Sequence, residues 1–394
     1  MRYIGIHVSI AGGIHKSLRR AKTLNVNATQ IFLKNAKSWR ATAYKESVIK
    51  KFHSEKNSFT NIKIFAHSIY LNNLASKGKA ERKTLNEMID EIASAESLDI
   101  EHIVVHPGSH EGDDEDSAIN RIAGSLDRIF QRTEKSKVKI LLETTAGVDR
   151  NLGYRFEHLR DIMALSNYPE RIAVCLDTSH IFTAGYDISN SEGYHGVIEE
   201  FDRIIGLENL KLIHLNDSKT ELGSRIDRHE HIGLGYIGDS GFSLILNDER
   251  LKHVPMILET PKIVGDSDSD IILKDIPMIL DKSRKIGLSY TDTVLKDIPA
   301  VIDKSKRLGL SIGGNIIKKG QNIFEKSRDR VTSKAISGSI NISDIFDKSL
   351  EISASLSDSL LKDSLEIYED AKLSVFEVDR MNIDRVYSLM EDRE

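Results

Sequence analysis

The amino-acid sequence predicts an α/β fold, a TIM-type (β/α)8 barrel followed by a C-terminal extension, and three observations carry that reading. Eight short, β-rich apolar runs alternate with amphipathic stretches over about the first 285 residues, the rhythm of βα units. Each run is almost continuously hydrophobic, as parallel strands covered on both faces must be. Eight such units in about 280 residues match the size of the barrel. A doubly wound sheet, the rival, would carry a Gly-rich phosphate loop after its first strand. Here Ala11-Gly12-Gly13 lacks the GxGxxG spacing.

The strands are read at 4–10 (IGIHVSI), 28–34 (ATQIFLK), 62–68 (IKIFAHS), 102–107 (HIVVHP), 139–145 (KILLETT), 172–178 (IAVCLDT), 210–217 (LKLIHLND) and 254–260 (VPMILET). Amphipathic helices are expected between them at 14–24, 45–57, 80–98, 117–135, 154–166 and 190–204, with a shorter one at 241–247. Asp268 to Lys285 would supply the eighth helix, with Gly287 just beyond it as a natural stop.

The domain boundary is therefore expected at 288, with 289–394 a Ser-, Asp-, Lys- and Ile-rich extension. A repeat crosses that boundary: LKDIPMILDKSRKIGLS at 273–289 recurs at 295–311 as LKDIPAVIDKSKRLGLS. Two copies are too few for a stacked solenoid. Apolar residues at 345, 346, 350, 356, 360, 361 and 365 follow helical spacing, so the extension reads as helical or partly ordered. It carries no histidine, and a chain ending at Ser289 is expected to fold and keep its activity.

Composition narrows the function classes. With 40% hydrophobic and 29% charged residues the chain is globular in character. Its net charge of −5 excludes a globally basic nucleic-acid coat, so a polyanion partner must be met by local charge or by metal ions. A single cysteine, Cys175, excludes an internal disulfide framework and a Cys-based zinc finger. That fits a reducing compartment, so the expected location is cytoplasmic, at the nucleoid or in a nucleus. No apolar run approaches the roughly 18 residues of a membrane helix, and MRYIGIHVSIAGG reads as a buried strand rather than a signal peptide.

The chemistry lies where the strands end. His7, Asn35, His67, His106, Glu143, Asp177, His214 and Glu259 close or follow the hydrophobic runs, at the end of a barrel where catalytic groups gather. Buried imidazoles and carboxylates brought together need a cation or charge partner. DTSH adds His180, three residues past Asp177, and DRHEH in the loop after the seventh strand adds Asp227 and His229. The candidate ligand set is His67, His106, Glu143, Asp177, His180, His214, Asp227, His229 and Glu259. Five imidazoles and four carboxylates suit Zn2+, with Mn2+ or Fe2+ as substitutes. The number of ions is left open by the count alone.

Residues 1 to about 285 closely resemble endonuclease IV, the zinc-dependent apurinic/apyrimidinic (AP) endonuclease of base-excision repair. GIHVSIAGG, FLKNAKSWR, HSIYLNNL, VHPGSH, ETTAGVDRNLG, LDTSHIFTAGYD, HLNDSKTELGSRIDRH and VPMILET carry the resemblance. It implies three zinc ions on the nine residues: His67 and His106 on one, Glu143 bridging to a second held also by Asp177, His214 and Glu259, and His180, Asp227 and His229 on the third. It implies a zinc-activated hydroxide that cuts duplex DNA 5′ to an abasic site, leaving a 3′-hydroxyl and a 5′-deoxyribose phosphate, with Glu143 and Glu259 as catalytic carboxylates. It further implies DNA contacts by Asn35, Lys37, Tyr70 and Leu71, and a monomeric barrel. No partner for the extension is implied. Lys37 stands where the family often has Arg, and Leu234 where a polar residue is common. His231 is left outside the ligand set. The alternative is a metal-dependent sugar isomerase or epimerase of the same barrel class. The nine-ligand set, the DRH loop and the Tyr70-Leu71 pair argue against it.

Overall fold

The computed structural model of the chain describes residues 2–39, 43–261 and 378–390. In chain order, β1 (Ile4–His7), α1 (His15–Thr23), β2 (Ala28–Phe32), α2 (Glu46–Lys56), β3 (Lys63–His67) and α3 (Gly78–Ser97) come first. Then come β4 (His102–Val105), α4 (Glu115–Arg132), β5 (Lys139–Glu143), α5 (Phe156–Leu165), β6 (Ile172–Asp177), α6 (Thr178–Ala184) and α7 (Ser191–Ile204). The last group is β7 (Leu210–His214), β8 (Asp217–Ser218), β9 (His229–Glu230), α8 (Gly238–Asn247) and β10 (Met256–Leu258). A final helix, α9, spans 378–389.

Eight strands close a parallel barrel in the order β1-β10-β7-β6-β5-β4-β3-β2. Every expected strand is present, each ending earlier than the apolar run suggested. The β8–β9 pair is an antiparallel clip outside the barrel. Alternation along the strands then divides the side chains. Ala28, Phe65, Val104, Leu141, Ala173, Cys175, Leu212 and Ile257 point inward and form one apolar cluster. The opposite face packs on the helices in a larger core. In helix α4, Asp114 caps the first turn by accepting the Ser117 N–H at 2.8 Å, and Ala118, Ile119, Ile122, Leu126, Ile129 and Phe130 form the buried face.

Two features depart from the sequence reading. Helix α6 was not expected; Asp177 caps it, accepting the His180 N–H at 2.8 Å, and Gly185 ends it with φ 115°. The helix expected at 268–285, the repeat and the boundary at 288 lie outside the described residues. Residues 379–390, however, belong to the same compact unit as the barrel, whereas the sequence reading assigned them to the extension. Ile383 and Val386 enter the core, and Arg380 donates to the Leu24 carbonyl at 3.4 Å. Asn247 of α8 donates to the Leu389 carbonyl at 3.0 Å. Among the described residues no helix is long and apolar enough to cross a membrane.

Candidate metal centre

The inward apolar layer fixes the layer beyond it. Two residues after Phe65, Val104, Leu141, Cys175, Leu212 and Ile257 stand His67, His106, Glu143, Asp177, His214 and Glu259. Strand alternation returns every second side chain to the same face. Register then sets them side by side: Asp177 pairs with His214 and Ile257 with His214.

Glu143, wholly buried, lies at the centre. Its Oε2 is 3.2 Å from His67 Nε2 and 3.1 Å from His106 Nε2. Its Oε1 is 2.8 Å from His214 Nδ1. His214 Nδ1 is also 3.3 Å from Glu259 Oε2 and 3.8 Å from Asp177 Oδ2. On the far side, Asp227 Oδ1 stands 3.2 Å from His180 Nε2 and 3.4 Å from His229 Nε2. Three groups with ligand atoms within 4.8 Å of one another result: His67, His106 and Glu143; Glu143, Asp177, His214 and Glu259; and Asp177, His180 and His229. Glu143 and Asp177 are each shared between two groups. Asp227, half exposed, edges the third.

Neighbours outside the candidate ligand set hold these groups in place. His67 Nδ1 is 2.6 Å from the Ser68 carbonyl, and His180 Nδ1 is 2.8 Å from the Thr144 carbonyl. Each carbonyl accepts a hydrogen bond from the Nδ1–H, which leaves Nε2 facing the carboxylates. Asn216 donates to Asp177 Oδ2 at 2.6 Å and accepts the Glu259 N–H at 2.7 Å. Gln30 donates to Glu259 Oε1 at 2.6 Å, and its Oε1 is 2.9 Å from His214 Nε2. Gln30 sits two residues after inward-facing Ala28, so alternation alone could have found it. His7 Nδ1 lies 3.0 Å from Glu259 Oε1.

The electrostatics are those of a cation site. Burial alone would raise the Glu143 carboxyl, but the His214 and His106 imidazoles outweigh it and hold it well below the ordinary carboxylate range. Glu259 is held low against burial by His214 and His7, and Asp227 by His180 and His229. Conversely, burial opposes charge on His180, yet Asp177 and Asp227 lift it well above an ordinary imidazole. Protons between facing nitrogens and oxygens keep such a cluster neutral, and a divalent cation can replace them. His229 Nε2 fits that role: it is buried, makes no hydrogen bond among the described residues, and faces carboxylate oxygens at 3.4 and 3.8 Å. Nitrogen and oxygen donors without thiolate suit zinc. The single thiol, Cys175, lies in the apolar layer, where burial pushes it up to about 12.

Beside this centre Tyr70 is 57% and Leu71 39% exposed. The Tyr70 ring lies 5.5 Å from His67 and 6.2 Å from His106. Asn35 and Lys37 are exposed on the loop after β2, where the Asn35 side chain accepts the Lys37 N–H at 3.0 Å. Trp39 is half-buried under Lys83, whose Nζ is 5.2 Å from the ring centre. His231 is buried and bonded to Asn382. Leu234 is exposed.

A closed barrel with this cluster at the C-terminal ends of its strands defines a metal-dependent barrel enzyme. A family model described as a xylose isomerase-like TIM barrel matches residues 18–280. A probable endonuclease 4 of Geotalea daltonii is 47% identical over 267 residues, covering 68% of this chain and 93% of that protein. One of Geobacter sulfurreducens is 45% identical, covering 68% and 90%. Endonuclease IV from Thermus thermophilus superposes with a TM-score of 0.60 at 33% identity, over 71% of this chain and 99% of its own. A D-tagatose 3-epimerase-like protein, 22% identical with a TM-score of 0.53 over 72% and 99%, shares the fold. The chain belongs to the endonuclease IV family of AP endonucleases.

Proposed function

We propose that the chain cleaves the phosphodiester 5′ to abasic sites in duplex DNA, leaving a 3′-hydroxyl and a 5′-deoxyribose phosphate, as a monomer with three zinc ions. The observation that carries this reading is the sharing of Glu143 and Asp177 among three groups of ligand atoms. Such sharing suits adjacent cations better than the one or two separate ions of a sugar isomerase. Zinc bound there supplies positive charge to the phosphodiester and makes water acidic enough to ionise near neutral pH.

The protein's own residues do the rest. His67, His106 and Glu143 form one holding group; Glu143, Asp177, His214 and Glu259 a second; His180, Asp227 and His229 the third, which Asp177 also adjoins. Glu143 and Glu259 are the catalytic carboxylates, and Gln30 and His7 keep Glu259 turned inward. Tyr70 and Leu71 enter the stack where a base is missing, since unstacking costs least there. Asn35 and Lys37 contact the backbone from the loop after β2, Lys37 as a point charge rather than a planar fork.

The test is a duplex carrying one tetrahydrofuran abasic analogue. Nicking 5′ to the analogue is expected with zinc, no nicking with EDTA, and none on intact duplex. Failure to nick at saturating zinc rejects the reading.

A further inference from the structure

The loop after β9 is gripped from two sides. On one, the buried Asp217 carboxylate accepts the N–H groups of Gly233 and Gly235 at 2.9 Å each and of Ile237 at 3.0 Å. On the other stands Asn382 of α9, wholly buried. Its Oδ1 accepts the Ile232 N–H at 3.2 Å, and its Nδ2 lies 3.0 Å from His231 Nδ1. An N–H faces only the amide oxygen, so the NH2 group faces the imidazole, whose Nδ1 accepts. His231 is 1% exposed and follows His229 by two residues.

Main-chain bonds also tie the metal loop, from the Lys219 N–H to the Arg228 carbonyl at 2.9 Å and from the Arg225 N–H to the Thr183 carbonyl at 3.0 Å, and the grip adds to them at His231 and Ile232, just past His229. Between β7 and α8 its only ladder is the two-residue pair Asp217↔Glu230 and Ser218↔His229. Side chains on loops are held less sharply than those on strands unless an outer set of bonds supports them. His67, His106 and Glu143 are set by the barrel strands; Asp227 and His229 are not. Helix α9 is itself anchored, with Ile383 and Val386 in the core and Arg385 paired with Asp239.

We propose that Asn382 is a positioning residue of the metal centre. By fixing His231 and Ile232 it sets where Asp227 and His229 stand, so the third metal position depends on a helix 150 residues downstream. This rests on the reading of His180, Asp227 and His229 as ligands.

The experiment uses the full chain. Asn382→Leu keeps the shape and removes both hydrogen bonds. Val386→Ala thins the same helix's core contact without touching the loop. Both are loaded with zinc and challenged with excess chelator, and zinc release is followed beside the melting temperature. Asn382→Leu is expected to release about one equivalent at least about tenfold faster than wild type, the remainder unchanged. Val386→Ala is expected to melt lower yet release zinc at the wild-type rates. Equal release from the two variants overturns the proposal and leaves the helix a structural cover. If the leucine variant does not fold, Asn382→Ser, too short to reach both partners, is held to the same outcomes. Wild-type protein that takes up no zinc rejects the ligand reading itself, before any variant is compared.

Discussion

Two layers of side chains fill the barrel, two residues apart on the same strands. The inner one is Ala28, Phe65, Val104, Leu141, Cys175, Leu212 and Ile257. The one beyond it is Gln30, His67, His106, Glu143, Asp177, His214 and Glu259. Backbone geometry treats them alike, since both face the barrel axis. Their energetics are opposite. Each large apolar side chain in the first layer stabilises the fold by about 1.5–3 kcal/mol through burial. The second layer gathers charges that burial penalises, tolerable only because imidazoles and carboxylates face each other. Stability and chemistry thus occupy successive rungs of one ladder.

The largest expected effect lies outside both layers, at α9. A chain ending at Ser289 lacks α9 and, with it, Ile383 and Val386. Two buried aliphatic side chains are worth about 3–6 kcal/mol, a large part of the roughly 5–15 kcal/mol that holds a domain together. The truncated chain is therefore expected to unfold at much lower urea than full length, against the sequence-based expectation that it keeps its activity. Matching urea midpoints would return α9 to the status of an appendage.

Within the layers, one strand offers both phenotypes. Leu141→Ala should cost about 2–5 kcal/mol in stability and leave turnover near normal below its melting temperature. Glu143→Gln should lower turnover at least about a hundredfold with little loss of stability in metal-free protein. Unfolding curves and single-turnover nicking, run on both, sharpen the contrast. A stability loss in Glu143→Gln equal to that in Leu141→Ala would mean the layers are not functionally distinct.

Glu91 is a buried carboxylate outside both layers. It accepts from Ser68 Oγ at 2.5 Å and from the Ile69 N–H at 3.0 Å, just ahead of Tyr70. Burial pushes it up to about 7. Because the folded value lies above the ordinary 4.5, its neutral form favours folding. Its contribution is complete below about pH 4.5 and fades as pH rises through about 7, by up to about 3 kcal/mol. Glu91→Gln should flatten the fall in the urea midpoint between pH 5 and 8. An unchanged slope would remove Glu91 as its source.

The barrel was legible because hydrophobic runs announce buried parallel strands, and six polar residues of the cluster stood out because they end those runs. Gln30 was missed although it sits on the same alternation, because it lies inside its hydrophobic run rather than at the end of it. Thr144 and Ser68 act through main-chain carbonyls, which carry no mark in a sequence. Helix α6 was hidden because Asp177 serves both as cap and as member of the cluster. Helix α9 was assigned to the extension because proximity in sequence favoured 268–285 as the partner of the last strand. Its contacts with Leu24, Ile232 and Asn247 exist only in three dimensions.

The smallest expected effect concerns the rim of the charged layer. Tyr70 is an exposed ring among His67, His106 and Phe32, the last 5.3 Å away. An exposed aromatic beside a charged cluster either packs the loop or awaits a partner with a stacking face. Against a gap in a base stack, such a ring is worth about 1–3 kcal/mol. Tyr70→Ala should therefore weaken binding to abasic duplex about fivefold or more, while binding to intact duplex, whose stack is closed, shifts less than about twofold. The comparison belongs in metal-loaded protein at one fixed salt concentration, because phosphate contacts shared by both duplexes vary steeply with salt. Equal losses on the two duplexes would make Tyr70 a packing residue of the β3 loop and leave recognition of the gap to Leu71.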